Sequence, residues 1–378
     1  MSRDHDGFIV FGEDYGRRAH CLEHLMNQFS NDTQILWVET VGLRAPKLNL
    51  YDIKRSFQKL RSLFVSKENN IEGFQVPDNI KVIRPLMLPF FGSKICRAFN
   101  KASVARSIKK ATTGNQTSYT TLITSIPNTG DFLDLAGAQK TIYYCVDEFK
   151  LWPLVDSKLL TGLEDELIKK ADIVLTTSKH LYQTRIVKNP NTHMFTHGVD
   201  TAHFELPPPK SHERPIYIYY GIIDERCDQE ILKNIAQRTD NGEIHIYGPV
   251  NCNIDNLKGQ KNIFFHGHVS YSELPKVIEN GHIFILPYKI NALTRTIYPL
   301  KIKEYIMTGR PVVATALPDL EELKSSINIE ADADGFVQKC LSIEKSGPFF
   351  SETLRESFKK SESWSSKKET FINLISAH

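Results

Sequence analysis

Glu304 lies in the stretch PLKIKEYIMTGRPVVAT, residues 299–315, with three bases close by at Lys301, Lys303 and Arg310. Pro299 suits the first turn of a helix. Apolar residues at 300, 302 and 306 give that helix a buried face, and Gly309 is a standard stop. RPVVAT then reads as a buried strand. The loop in front, LPYKINALTRTIY, follows another buried-strand pattern. A helix that starts at the end of such a strand presents amide hydrogens and partial positive charge. Lys301 adds a full charge, so the place suits a diphosphate. A carboxylate one turn on accepts two hydrogen bonds at once, as two hydroxyls of a ribose would offer them. The same spacing allows an i,i+3 salt bridge between Lys301 and Glu304, worth a few tenths of a kcal/mol. The residues alone leave both readings open.

The elements that must position this group can be read along the chain. Short apolar runs occur at 7–12, 34–39, 80–85, 119–125, 141–146 and 172–177, then at 193–197, 216–221, 243–248, 262–267, 282–288 and 310–315. Stretches of helical period, such as LLTGLEDELIKKA, separate most of them. That alternation predicts α/β architecture with parallel sheets, which place ligand sites at the carboxyl ends of their strands. Twelve strands are too many for one such sheet in 378 residues. FELPPPKSHERP (204–215), with four prolines and no period, is the expected break. Two Rossmann-like domains facing a cleft follow, one over 1–205 and one over 206–349.

Composition is that of a globular chain, 41% hydrophobic and 24% charged. No apolar run approaches the roughly 18 residues of a membrane span, and the start does not read as a signal peptide. Six scattered cysteines without a CxxC pair suit a reducing cytoplasm and argue against a disulfide framework or a zinc site. The net charge of +3 is unevenly placed: residues 40–130 hold fifteen Lys/Arg against four acids, a local +11 that leaves −8 for the rest. LYDIKRSFQKLRSLFVSK and PLMLPFFGSKICRAFNKASVARSIKKA, both in this region, mix bases and large apolar residues at roughly helical spacing. Such faces rest on anionic membrane surfaces or, more plainly, cover a core. No nucleic-acid-binding motif accompanies the charge.

PLKIKEYIMTGRPVVAT resembles the nucleotide-sugar signature P-L-K-x-x-E-Y-x-x-x-G-x-P-V-V-A of family 4-like glycosyltransferases (glycosyl transferases group 1) of the GT-B fold. The likeness extends over nearly the whole chain. DEFKLWPLVDSKLLTGLEDELIKKADIVLTTSKHLYQTR, THGVDTAHF, YYGIIDER and HGHVSYSELPKVIENGHIFILPY resemble further segments of that group, in the same order. SESWSSKKETFINLI resembles its last helix, which crosses back onto the N-terminal domain; 350–378 would then complete that domain, with Trp364 as a packing anchor.

The resemblance implies transfer of a sugar from a nucleotide-sugar donor, expected to be UDP-linked; a retaining transferase, a nucleotide-sugar 2-epimerase of the same fold and an inactive glycan- or lipid-binding relative are the alternatives. The acceptor would be a hydroxyl of a lipid-linked or growing surface glycan, at the inner face of the cytoplasmic membrane. Many retaining members carry a second glutamate eight positions before the one matching Glu304. Thr296 stands there, which favours an inverting subgroup active in bacterial exopolysaccharide assembly. An inverting transfer needs a base near the acceptor hydroxyl. Asp147, at the end of the strand TIYYCV, is the candidate, with Glu148 as its neighbour. For the donor, Glu304 and Lys301 are joined by Arg226, Arg295, Thr294, Thr296, Tyr288 and Gly221. Gly16, Arg17 and His20, in the loop GEDYGRRAH after the first strand, are candidates for sugar or acceptor contacts. With no GxGxxG, no NAD is inferred. No cofactor or metal is expected: Asp4/Asp6 and Asp332/Asp334 have DxD spacing but lie away from the motifs, Asp332 reading as a helix cap. His245 and His266 read as strand histidines.

Overall fold

The computed structural model describes residues 6–16, 20–29, 31–42, 76–114, 117–135, 137–210, 214–347 and 350–377. They divide into two compact units. Unit 1 holds the residues up to Thr196 and those from Phe371 on, and unit 2 holds His197–Thr370.

Unit 1 contains β1 (Asp6–Gly12), α1 (Cys21–Met26), β2 (Ile35–Glu39), β3 (Ile80–Ile83), α2 (Lys94–Thr112) and β4 (Ser118–Thr124). It continues with β5 (Lys140–Cys145), α3 (Ser157–Lys170), β6 (Ile173–Thr176), α4 (Lys179–Arg185) and β7 (Thr192–Met194). Its strands order as β3-β2-β1-β4-β5-β6-β7, and the described pairings are parallel. Apolar residues fill both faces of the central strands, as a sheet covered on both sides requires: Ile9, Leu122, Tyr143 and Val174 are buried on one face and Val10, Ile123, Ile142 and Leu175 on the other. Asp156 and Ser178 cap the two helices that flank β6, accepting from the Leu159 and Leu181 amides.

Unit 2 contains α5 (Thr201–Phe204), β8 (Ile216–Tyr220), α6 (Gln229–Arg238), β9 (Glu243–Tyr247), β10 (Ile263–Gly267), α7 (Leu274–Ile278) and β11 (Ile283–Leu286). After these come α8 (Lys301–Met307), β12 (Val312–Thr315), β13 (Asn328–Glu330), α9 (Ala333–Ser346), α10 (Glu352–Glu362) and α11 (Trp364–Ala377). Its sheet runs β10-β9-β8-β11-β12-β13. The twelve expected strands are all present; the thirteenth, β13, is a three-residue edge strand too short to show a period. Asp332 accepts from the Gly335 amide at 2.8 Å, which makes it the cap of α9. Val199, Phe204 and Leu206 pack into the unit 2 core, so the chain enters this unit ahead of the proline-rich stretch.

In unit 2 the strand order reverses between β8 and β11, which pair in parallel through Ile283–Tyr217 and Phe284–Ile218. At such a switch point the loops leave in opposite directions and open a crevice at the carboxyl ends. Gly221 and Arg226 follow β8; Tyr288, Arg295 and the helix α8 follow β11.

The last helix passes from one unit to the other. Trp364 is 3% exposed, and a Cβ on Gly198 would lie 2.6 Å from its ring, so only glycine fits there. Seven residues later Phe371 packs among Phe8, Phe29 and Phe195 of unit 1, with ring centroids 6.0–6.3 Å away.

Candidate functional site

Glu304 is buried on α8, and one carboxylate oxygen, Oε2, accepts from the Tyr220 hydroxyl at 2.7 Å. No protein donor reaches Oε1 among the described residues. Burial pushes its carboxyl up to about 7, against the pull of Tyr220 and Lys301 in the other direction. Such a displaced value in a strand-end crevice marks a functional candidate. The Lys301 ammonium donates to the Tyr220 carbonyl at 2.9 Å and lies over the rings of Tyr219, 4.8 Å from the centroid, and Tyr288, 5.6 Å away. Gly221 is required here twice over. Its φ is +121°, and a Cβ would lie 2.1 Å from Lys301 Nζ. Lys301, Glu304, Tyr220, Tyr288 and Gly221 therefore form one group, and the Lys301–Glu304 salt bridge of the plain reading gives way to contacts with Tyr220.

The other expectations for this region sort differently. Arg226 forms a two-point pair with Asp224, Nε–Oδ1 2.9 Å and Nη2–Oδ2 2.7 Å, while lying over Tyr288. Arg295 is exposed, and its guanidinium has no partner among the described residues. Thr294 and Thr296 are buried and donate their hydroxyl protons to the carbonyls of Lys289 at 2.5 Å and Leu293 at 2.7 Å. With the proton directed into the loop, neither hydroxyl has a donor left for an anionic phosphate. Their part is to brace the turn around Arg295. The free amides expected at the start of α8 are also reduced, since Ile302 and Lys303 donate to the Pro299 and Leu300 carbonyls. The positive charge at this end is thus mainly that of Lys301. The remaining two bases turn away. Lys303 donates to the His197 carbonyl and Glu362, and Arg310 binds the carbonyls of Gly281, Thr308, Pro207 and Glu279. Gly309, at φ +72°, closes α8 as expected, donating to the Ile306 carbonyl.

In unit 1, Asp147 follows β5. Its Oδ1 accepts from the Glu148 amide and its Oδ2 from the Trp152 indole, both at 2.8 Å. The arrangement is that of a residue capping its own loop. Glu148 is fully buried and gripped by Arg185, Nη1–Oε2 2.8 Å and Nη2–Oε1 2.9 Å, so it offers no edge to an acceptor. Arg185 also binds Glu164 at 3.0 Å, and Glu164 accepts from the Tyr143 hydroxyl. Burial alone would raise Glu148; Arg185, with Lys150 and His180, outweighs it and holds the carboxyl below its ordinary value. After β1, the Gly16 amide donates to Glu23 Oε2 at 3.1 Å, and His20 Nε2 stands 3.1 Å from Glu13. Arg17 lies outside the described residues.

Two groups escaped the sequence reading. Tyr220 ends the strand IYIYYG one residue before Gly221, a place that could have flagged it as a partner of the strand-end group. His180 follows β6 and stands 3.3 Å from Glu148 Oε2; its only signal was a position just past a strand end. Among the described residues no group of three or more His, Cys, Asp or Glu is placed to hold a metal ion.

Residues 227–345, which include Arg226's neighbours, Tyr288, Lys301 and Glu304, match the family model described as "Glycosyl transferases group 1". The Bacillus subtilis (strain 168) protein TuaH, named a teichuronic acid biosynthesis glycosyltransferase, is 25% identical over 182 residues. That match covers 44% of this chain and 46% of TuaH, so it spans about half the length of the relative. Anabaena HepE in complex with UDP and glucose superimposes with a TM-score of 0.68 at 10% identity, over 98% of this chain and 99% of that one. Sucrose-phosphate synthase from Thermosynechococcus elongatus gives 0.69 at 13% identity, over 99% and 100%. At these identities the two structures speak for the fold, which is GT-B. The chain thus has the GT-B fold, and its residues 227–345 are similar to glycosyl transferases group 1.

Proposed function

We propose that the protein is an inverting glycosyltransferase that moves a sugar from a UDP-linked donor to a hydroxyl of a lipid-linked or growing surface-glycan acceptor. The observation that carries this reading is the group at the β8/β11 switch point: a buried carboxylate with one oxygen open, beside a lysine held over two tyrosine rings. The Glu304 carboxylate receives the ribose hydroxyls. Lys301, with Arg295 and Arg226, meets the diphosphate, whose negative charge grows as the bond to the anomeric carbon breaks; cations already in place lower that barrier. Protein cations fill the role that a metal takes in other transferases. Thr296, where a second glutamate would favour retention, supports inversion. Unit 1 takes the acceptor, and Asp147, which follows β5, supplies the base.

Thermal shift against a set of nucleotide sugars tests the donor. A ligand at about 100 times its dissociation constant stabilises by about 2.7 kcal/mol, and UDP-linked sugars are expected to exceed GDP- and ADP-linked ones. No shift with any of them would overturn the reading. The anomeric configuration of the product, read by NMR, is expected to be opposite to that of the donor.

The acceptor's setting is proposed to be the inner face of the cytoplasmic membrane. Of the basic region, 50–67 lies outside the described residues, and only its second part can be placed. Arg97 and Lys101 are neutralised by Asp131 and Asp134. Lys94, Arg106, Lys109 and Lys110 remain exposed without an ion-pair partner among the described residues. Phe90, Ile95 and Phe99, from the start of the same helix and the turn before it, are exposed as well, Ile95 to 83%. At about 1 kcal/mol per base near an anionic surface, these four bases favour such vesicles by about 4 kcal/mol. The protein is expected to sediment with anionic but not neutral vesicles, less so in 1 M salt, and Ile95→Glu/Phe99→Glu to weaken the binding. Equal binding to both vesicle types would remove the electrostatic part.

A further inference from the structure

We infer that Tyr220 is the positioning residue of the nucleotide site: its hydroxyl turns the Glu304 carboxylate so that Oε1 meets the ribose, which makes the site select ribonucleoside over 2′-deoxyribonucleoside diphosphates. The inference rests on the donor reading above and uses residues of unit 2 alone. A carboxylate has about four acceptor positions. The Tyr220 hydroxyl takes one of them, on Oε2 at 2.7 Å, and leaves Oε1 open. Without that donor, no hydrogen bond among the described residues sets the turn of the carboxylate.

Tyr220 can set it because Tyr220 is itself fixed. It ends β8 and is 5% exposed. Its amide donates to the Tyr305 hydroxyl at 3.3 Å, and its carbonyl accepts from the Lys301 ammonium at 2.9 Å. Its ring stands edge-on to Tyr305, with centroids 4.9 Å apart, and lies parallel to Phe204 at 6.2 Å. Phe204 is backed by Tyr271, 5.9 Å away, which stacks on His203 at 4.1 Å. One residue thus holds both charged groups of the site, Lys301 through its carbonyl and Glu304 through its hydroxyl.

The titratable and charged groups around Glu304 are Tyr220 from β8, Lys301 and Tyr305 from α8, Asp200 ahead of α5 and Tyr271 ahead of α7. Burial raises the Glu304 carboxyl most; Tyr220 and then Lys301 pull it down, and Asp200 pushes it up. Burial and the Glu304 charge push the Tyr220 phenol well above its ordinary value, so it keeps its proton and remains the donor. Removing the hydroxyl therefore raises the proton affinity of Glu304 further. Ribose hydroxyls donate best to the ionised carboxylate, so binding without the Tyr220 hydroxyl should need a higher pH.

The test is calorimetric titration of the full chain with UDP and with 2′-deoxy-UDP, across about pH 5–9. The parent should bind UDP more tightly than 2′-deoxy-UDP by about tenfold or more. Tyr220→Phe keeps the ring and its packing. Its preference for UDP should fall to about threefold or less, and its pH of half-maximal binding should rise by about 1–2 pH units, the worth of one hydrogen bond to a charged group. In a Glu304→Ala background the same change should alter UDP affinity by less than about twofold, since a residue that acts through another has no effect once that one is gone. A Tyr220→Phe protein that weakens both nucleotides equally, with the pH midpoint unmoved, has lost packing only and would overturn the inference. So would one that matches the parent, or a parent that binds both nucleotides alike. A parent that binds neither nucleotide would instead sink the donor reading itself.

Discussion

Glu304→Gln is expected to make the protein more stable at pH 8 and a poorer binder of UDP. Glu304 is buried on α8 with Tyr220 as its hydrogen-bond donor, and its carboxyl is raised from 4.5 to about 7 by that burial. The folded state therefore holds the proton more tightly than the unfolded chain. Stability linked to this group is full below about pH 4.5 and is lost as pH rises through about 7. Above that point the ionised carboxylate costs the fold on the order of 3 kcal/mol. Glutamine mimics the protonated form, so the gain in denaturation midpoint should be large at pH 8 and vanish near pH 4. Binding should move the other way. A carboxylate accepts two hydroxyl bonds and an amide oxygen with its neighbouring NH₂ does not; hydrogen bonds to charged groups contribute roughly 1.5–3 kcal/mol. UDP affinity should fall by that amount in Glu304→Ala and by much of it in Glu304→Gln, and in the parent protein it should weaken from pH 8 to pH 6. Calorimetric titration of folded variants with UDP checks this. Unchanged affinity removes the ribose role, and an unchanged midpoint at pH 8 removes the cost of the buried charge.

Arg185→Met is expected to destabilise unit 1 by about 3–5 kcal/mol, the range for breaking a buried ion pair from one side. Arg185 is 2% exposed and serves two carboxylates at once, Glu148 and Glu164, which are themselves 0% and 3% exposed. Methionine fills much of the volume and leaves both acids buried without their cation. They would then ionise only at a cost. The loss should be greatest at pH 8 and shrink toward pH 5, where the acids can take up protons. Urea denaturation at the two pH values reads this directly. Adding Glu148→Gln and Glu164→Gln removes the stranded charges and should recover most of the loss, since a buried pair replaced as a whole is often neutral. An Arg185→Met protein within about 1 kcal/mol of the parent at both pH values would mean that the cluster is not held as described. The cluster also ties the loop after β5 to α4, since Arg185 holds both oxygens of Glu148.

The local sequence determined most of the architecture. Apolar runs of five to seven residues, separated by helical periods, specify strands because parallel sheets bury both faces, and each expected run became a strand. The helix over 301–307 was legible from Pro299, its apolar spacing and Gly309, since caps and stops act within a few residues. The importance of Glu304 and Lys301 was legible for the same reason: one turn of helix places them together whatever the rest of the chain does. What lies near what across distant segments was decided by the tertiary structure alone. Among three neighbouring bases, only Lys301 joins Glu304; Lys303 and Arg310 are drawn to carbonyls and a carboxylate up to 106 residues away. Asp147 reads as a free acid in sequence, but Trp152 and its own following amide take its oxygens once the loop closes. His180 carried no signal beyond its place after a strand, because Glu148, 3.3 Å from it, is 32 positions away by number and comes near only after β5 and β6 pair. Periodicity reports burial and helical spacing, which are local. The proton affinity of a group depends on solvent and on charges brought in by other strands, and no run of neighbouring residues carries that information.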